Sequence, residues 1–464
     1  MENQRNEPNA VVLGGSLAGL LAARVLSRHC AKVTLIERDR YPSQPAPRNG
    51  VPQARHVHVI LLRGLRILES LFPGFAAEVE SMGGLMLDSA DDFHWLTPGG
   101  LSPRFRSRVP FAAISRPAID WIVQRRVRSL ANVEIVESTD VTGLVRSGGR
   151  GVDGVTIRRR GGSGAECIAA SLIVDASGRG SHTPEWLAGM GLEIPKATAV
   201  DGHFGYASRL YRRMPSQHAA WRAAYSQAAP PHVNRLGLAF PIEGDRWMVT
   251  LGGGGADYPP VREDHFMDFA RSLPNPEIYN LIRTALPLGP IHGARSQGNR
   301  WVHYERVRMP EGLAVMGDAV CSFNPVYGQG MTMAGIGAEL LEACCARGSF
   351  AGFQKSLAKA AEPAWTLATS EDYRYPGVTG DPAGAAAKLM HRYLDRVIAR
   401  SCADPEVRRT LLEVFHMVRR PESLFRPSMF WKAARQRVPG TAAAAAAAAA
   451  QPELEAWAAT RIGW

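Results

Sequence analysis

The sequence predicts an α/β fold in which a parallel-sheet domain is interleaved with a second β-sheet domain and followed by a helical region. Three observations carry this. Near the start, "VVLGGSLAGLLAARVLS" at 11–27 reads as a strand, a glycine-rich turn and a helix, and "KVTLIERD" at 32–39 reads as a second strand. Far along the chain, "LAVMGDAVCSFNPVYGQGMTM" at 313–333 reads as a buried strand, a loop and a helix start. Between them, "HFGYASRLY", "RLGLAFPI" and "RWMVTLGG" are strand-like runs.

The first unit is built as a nucleotide-binding βαβ. Val11, Val12 and Leu13 form the continuous apolar run of a strand buried on both faces. Gly14-Gly15-Ser16-Leu17-Ala18-Gly19 follows, close to the pattern GxGxxG, with Ser16 at the middle glycine. Small residues let the backbone approach a pyrophosphate, and the helix N-terminus offers it free N–H groups and a partial positive charge. Gly19 lets helix pack on strand. Glu37 ends the second strand at the spacing where a carboxylate meets the ribose hydroxyls of an adenosine. This is a Rossmann-like unit, and an NAD or FAD site is the chemistry it implies.

The stretch at 313–333 separates these two. Leu313–Met316 is a strand candidate, and Gly317-Asp318 ends it with a carboxylate where a ribityl hydroxyl would lie. Asn324-Pro325-Val326-Tyr327 makes a loop, and Gly328-Gln329-Gly330 opens a helix whose N–H groups suit the negative edge of a reduced flavin. FAD, held non-covalently, is the expected cofactor.

Composition bounds the rest. At 464 residues the chain exceeds one ordinary core, and 45% hydrophobic with 21% charged residues is normal for a globular protein. The net charge of +11 comes from scattered arginine clusters, such as Arg125-Arg126, Arg158-Arg159-Arg160 and Arg408-Arg409, without a nucleic-acid motif. Nucleic acid is not an expected partner. Cys30, Cys167, Cys321, Cys344, Cys345 and Cys402 form no CxxC pair and no zinc spacing, so no metal is expected and reduced cytoplasmic thiols are. The start MENQRNEPNA lacks a leader pattern, and no apolar run is long enough to span a membrane, Ala442–Ala450 included. "SLFRPSMFWKAARQR" at 423–437 is basic and aromatic; it suits a membrane interface, but packing on the body is preferred. His56 and His58 lack an acid or metal spacing and are expected outside the catalytic set. "GGGGADYPP" at 252–260 is not expected to be a second nucleotide site, because prolines and acids follow it and no helix is expected there.

The pattern Gly317, Asp318, Pro325, Gly328, Gln329, Gly330 resembles the second flavin motif, GDAxH…P…GQGxN, of the group A flavoprotein monooxygenases with the para-hydroxybenzoate hydroxylase-like fold. The family's His is replaced by Cys321 or its neighbour, and its Asn by Thr332. "PRNGVPQARHVHVILLRGLRILESLFPG" at 47–74 resembles the family's R-x-G-V stretch, and "ISRPAIDWIVQRRV" at 114–127 its arginine-bearing helix. In "SLIVDASGRGSHTPEWL" at 171–187 the family's DG pair becomes Ser177-Gly178, with Asp175 two residues earlier. Together, GGSLAG, GVPQARHVH, DASGRGS and GDAVCSFNPVYGQGMT look most like the bacterial squalene epoxidase-like enzymes, polyether epoxidases included.

The resemblance implies a glutathione reductase-type FAD-binding domain at 8–80, 110–185 and 300–345. It implies a substrate-binding sheet at 81–109 and 186–299, with Phe204, Tyr206, Trp247 and Thr250 as lining candidates. A helical region at 346–440 and a low-complexity tail at 441–464 complete the chain. The implied cofactor contacts are Gly14, Gly15, Ser16, Leu17, Ala18, Gly19, Glu37, Arg38, Arg48, Arg116, Val141, Asp175, Asp318, Pro325, Gly328, Gly330, Met331 and Thr332. Pro325 and Gly328 would border the reacting flavin face. The implied reaction uses NAD(P)H as a transient co-substrate and O₂ to hydroxylate or epoxidise an apolar alkene or aromatic small molecule of secondary metabolism. A flavin-dependent reductase of the geranylgeranyl reductase type is the alternative.

Overall fold

In this computed structural model, residues 8–146, 148, 151–162, 164–214, 220–380 and 384–435 are described. The expected tail at 441–464 and the last residues of the helical region, 436–440, lie outside them.

The first strand, β1 (Asn9–Leu13), is the centre of a five-stranded parallel sheet. The spatial order is Leu313–Val315, Leu172–Asp175, β1, β2 (Lys32–Ile36) and Val133–Val136. Val11, Val12 and Leu13 are each at most 1% exposed, as a strand covered on both faces requires. The connecting helix α1 (Leu17–Leu26) packs against the long helix Gly330–Arg347, so the first glycine-rich stretch and the one that follows Leu313–Val315 share one core. Register then fixes the site. Leu13 lies beside both Ile36 and Asp175, and Asp175 lies beside Val315. The residues that follow these strands therefore emerge at one carboxyl edge, where open α/β sheets bind their ligands.

The second sheet has seven strands, in the order His292–Arg295, Gly205–Arg212, Arg246–Gly253, Arg235–Ile242, Ala223–Ser226, Phe93–Thr97, Gly100–Leu101. Its pairings are antiparallel except that of Ala223–Ser226 with Phe93–Thr97. Alternation divides its side chains between two faces. Tyr211, Trp247, Val249 and Leu251 pack under the helices Glu263–Arg271 and Glu277–Ile282. The alternate residues Tyr206, Ser208, Leu238 and Thr250 turn toward the parallel-sheet half. Trp247, a candidate for lining the substrate pocket, thus belongs to the far face: it is one residue out of phase with Tyr206 and Thr250.

Three-stranded sheets complete the β-structure: Thr139–Arg146 with Val152–Arg159 and Ala165–Ala169; Val59–Ile60 with Pro110–Ala113 and Leu85–Asp88; and Ala197–Val200 with Asn299–Val302 and Cys321–Ser322. The helices Phe353–Asp372, Ala385–Ser401, Pro405–Phe415 and Pro427–Ala434 follow. The last packs through Met429 and Ala433 on Val397 and Val407, leaving Phe430 and Trp431 exposed. No helix among the described residues is long and apolar enough to cross a membrane. One further correction concerns the glycine run at 252–255. A helix, Glu263–Arg271, does follow it, but Glu263 and Asp264 sit in its first turn and oppose an anion there.

Candidate functional site

The glycine-rich turn is set by backbone contact. A Cβ on Gly19 would lie 1.7 Å from the Gly14 carbonyl oxygen, so only glycine permits the approach of α1 to the turn. Gly14 has φ +89° and packs on Ala176 and Ser177 of the neighbouring strand end. Gly15 donates its N–H to Glu37 Oε2 at 2.7 Å and accepts from Tyr41 and Arg48. Glu37 is buried; it also pairs with Arg48 at 2.9 Å and accepts the Asp39 N–H. An ionised carboxylate offers about four lone-pair sites, so acceptor capacity for ribose hydroxyls remains beside these bonds. Arg38, next to it, is on the exposed rim. Val141 lies in the strand that starts beside Glu37, where the Thr139 N–H donates to the Glu37 carbonyl.

Two arginines converge on this turn. Arg48 stacks on Tyr41 at 4.8 Å and keeps its Nε buried without a partner. Arg116, at the first position of the helix Arg116–Arg128, is aimed by Asp120 (2.8 Å) and donates to Ser16 Oγ at 3.1 Å. Ser16 is the N-cap of α1 and its hydroxyl makes no capping bond. Leu17 is buried beneath it, while Ala18 lies under Gly317, where an added Cβ would come within 2.8 Å of the Ala18 side chain. That approach joins the first motif to the third.

Asp318 is exposed by surface area, yet protein encloses it closely enough to raise its carboxyl above the ordinary range, against the pull of Arg116 and Arg179. A carboxylate at the floor of a deep open cleft has both properties. No atom comes within 4 Å of where a Cβ would stand on Gly178, Gly180 or Gly330, so open space runs along these backbones. Pro325 begins a short 3-10 turn that ends at Gly328, φ +65°. Gly330, Met331 and Thr332 start the helix Gly330–Arg347, where first-turn N–H groups have no intrahelical acceptor. The Thr332 hydroxyl itself is buried without a partner and lies toward Gly64, so only its backbone can face the cleft.

Asp175 works differently from the other candidates. It is fully buried, and its oxygens accept from the Ser177 N–H and from the hydroxyls of Ser177, Ser181 and Thr183. It shapes the loop that carries Gly178 and Arg179. Arg179, not singled out in the sequence although it lies within DASGRGS, ties that loop to Gln297, Gly298 and Ser322 beside Asp318. Also unforeseen is a buried network behind the Pro325 turn, in which Asp372 and Asn299 hold Asn324 and Tyr327. Its members are scattered in sequence and carry no motif.

His56 Nδ1 meets Ser208 Oγ at 2.7 Å, and burial holds its pKa down at about 4. His58 is bonded to the His56 carbonyl, and burial lowers it to about 3. Cys321 is buried with its thiol pushed up, so it is a poor nucleophile. Of the expected lining residues, Tyr206 donates to Asn324 Oδ1 at 2.5 Å, Thr250 accepts the Val57 N–H at 3.0 Å, and Phe204 stacks at the edge of Tyr375. Tyr225, Leu238 and Val326 join the same apolar cluster.

The donor set fits FAD. A cradle with no room for a Cβ, two converging arginines, a ribose-spaced carboxylate and a carboxylate at the far end of an open cleft match a long dinucleotide with a polyol chain.

Comparison with known proteins agrees. Residues 9–198 match the family of FAD dependent oxidoreductases. Protein Rv3254 of Mycobacterium tuberculosis is 33% identical over 432 residues, covering 88% of this chain and 90% of that one. Kynurenine 3-monooxygenase of Salinispora arenicola is 26% identical over 371 residues, covering 74% of this chain and 73% of the other. Among solved structures, the flavin-dependent brominase Bmp2 superposes with a TM-score of 0.65 at 14% identity, over 92% of this chain and 98% of its own, a likeness of fold.

Proposed function

The chain belongs to the FAD-dependent oxidoreductases, in one family with Protein Rv3254, and on that premise we propose that it is a monooxygenase that uses NAD(P)H and O₂ to hydroxylate or epoxidise an apolar alkene or arene. The observation that carries the reading is the apolar wall beside the Pro325 turn. There the inner face of the seven-stranded sheet presents Tyr225 and Leu238, packed with Val326 of the Pro325 turn. Such a wall excludes water and takes an apolar substrate. The likeness to kynurenine 3-monooxygenase supports oxygen transfer as the reaction class.

Bound FAD would supply electron uptake from the reduced nicotinamide and the activation of O₂. The chain's own groups supply position and electrostatics. The Gly14–Gly19 turn, Arg48 and Arg116 would hold the pyrophosphate, Glu37 the adenosine ribose, and Asp318 the ribityl chain. The N–H groups of Gly330, Met331 and Thr332 stabilise negative charge on the ring edge. The Pro325–Gly328 backbone would border the bound flavin. Asp175 and Arg179 set the loop between them.

The test works before the natural substrate is identified. Holoenzyme is given NADPH, ¹⁸O-labelled O₂ and a panel of apolar alkenes and arenes. The expected result is a product carrying one labelled oxygen per reductant consumed. Reductant consumption that saturates a double bond without incorporating label would replace this reading with the reductase one.

A further inference from the structure

Asp372 closes the helix Phe353–Asp372, is 0% exposed, and has no cation among its hydrogen-bond partners. Three donors from two other segments converge on it. The Tyr327 hydroxyl donates to Oδ1 at 2.5 Å, Asn299 Nδ2 donates to Oδ2 at 2.7 Å, and Asn324 Nδ2 approaches Oδ1 at 3.4 Å. Asn324 is fixed on its other sides as well. Its N–H donates to Asn299 Oδ1 at 2.8 Å, and its Oδ1 accepts from Tyr206 of the seven-stranded sheet. One buried carboxylate therefore joins the helical region, the strand Asn299–Val302 and both ends of the turn that carries Pro325.

We propose that ionised Asp372 is a positioning residue that holds the Asn324–Gly328 turn against the flavin, and that its protonation loosens this turn. The proposal rests on the flavin reading of the cleft. The physical reason is donor counting. The partners on both oxygens present hydrogens, which an acceptor-only carboxylate satisfies; a proton on either oxygen weakens its acceptance and adds a donor that faces only donors among these partners. The titratable groups around it are Tyr327 on the turn, Tyr206 on the sheet, Asp201 on the segment before the sheet, and Glu371 and Tyr375 on its own chain segment. The surrounding phenols are raised well above their usual range, so they remain donors at neutral pH. Burial, with Asp201 adding to it, raises Asp372 to about 7, against the three donors that pull it down. The ionised and protonated forms thus exchange within the working pH range.

The experiment follows the visible spectrum and fluorescence of bound FAD in the holoenzyme from pH 5.5 to 8.5. Wild type should show one transition with a midpoint near 7. Asp372→Asn, a neutral mimic of the protonated acid, should lack the transition and keep the wild-type low-pH spectrum throughout. Tyr327→Phe removes one donor that favours ionisation, so its midpoint should move upward; this variant also tests the idea should Asp372→Asn not fold. A flat wild-type spectrum with FAD bound, a transition that persists in Asp372→Asn, or an unmoved midpoint in Tyr327→Phe would each overturn the proposal. Wild-type protein that takes up no FAD at any pH would instead overturn the flavin reading. In that event thermal melts of the FAD-free chain read the same carboxyl. Its folded pKa is raised, so the stability of wild type relative to Asp372→Asn should fall as pH rises from about 4 through 7, and a constant difference counts against the network.

Discussion

The carboxyl edge of the parallel sheet and the contact of the seven-stranded sheet with the C-terminal helices treat charge in opposite ways. At the first, the buried arginines are paired at short range. Arg48 meets Glu37 at 2.9 Å and Arg116 meets Asp120 at 2.8 Å, with both ion pairs almost buried. At the second, Arg408 is 0% exposed, lies 4.3 Å over the Trp95 ring, and has no hydrogen-bond partner for any of its three nitrogens among the described residues. His416 beside it is likewise kept neutral by burial, without a paired acid. On the proposed flavin reading the first region would receive an anionic cofactor through arginines aimed in advance by carboxylates. The second packs the sheet against the helices and leaves its buried arginine with the face of an aromatic ring in place of an anion.

The sharpest test of this contrast is at the turn itself. Gly19→Val places a branched side chain where even a Cβ would stand 1.7 Å from the Gly14 carbonyl. Strand and helix must separate, and the N–H groups of the α1 N-terminus move with them. The expected outcome is complete loss of FAD from purified protein, measured as the ratio of flavin released on denaturation to protein. Stoichiometric FAD in this variant would mean that the cofactor is held elsewhere.

What was legible in the sequence follows the same division. Gly14, Gly19, Glu37, Gly317 and Asp318 could be read because backbone geometry and strand-end position restrict residue type within a few consecutive residues. The seven-stranded sheet could be read from alternation, but not which phase faced inward: Trp247 and Tyr206 look equally apt in sequence, and only the pairing of Tyr206 with Gly252 and Tyr211 with Trp247 settles their faces. Asp175 resembled a cofactor contact because a strand end commonly supplies one, whereas three hydroxyls within the next eight residues claim its oxygens. Asp372 was invisible, since its partners Asn299, Asn324 and Tyr327 reach it only through tertiary packing.

The buried histidines should be where acid acts. In the folded chain burial lowers His56 to about 4 and His58 and His416 to about 3, against 6.5 for an unperturbed imidazole. The unfolded chain therefore binds more protons between these values, and stability rises with pH over that interval. Their stabilising contribution is present above about pH 6.5 and is lost as pH falls toward 4. Thermal melts should drop steadily from pH 7 to pH 5, and His416→Asn should make that slope shallower. His416 is a good choice because Nδ1 accepts the Leu62 N–H and Nε2 meets Ser89, which an amide reproduces in part. An unchanged slope would mean that His416 does not contribute to the acid sensitivity.

Arg408→Met asks whether the unpaired cation at that contact stabilises anything. Burial lowers its pKa to about 10, so it is still charged at pH 7. An ion taken out of water in a real protein costs several kcal/mol unless it is paired, and a desolvated cation over an indole returns about 2 kcal/mol. The cost exceeds the return. Methionine is flexible enough to fill the space beside Trp95 without introducing a polar atom that needs a partner. The variant should therefore melt at the wild-type temperature or a few degrees above it, with its FAD content unchanged. The corresponding change at the other end, Arg116→Met, strands Asp120 and removes a donor aimed at the turn, and it should lower both. If Arg408→Met is destabilised as strongly as Arg116→Met, the guanidinium has an anionic partner in the folded protein, and the contrast between the two regions fails at that residue.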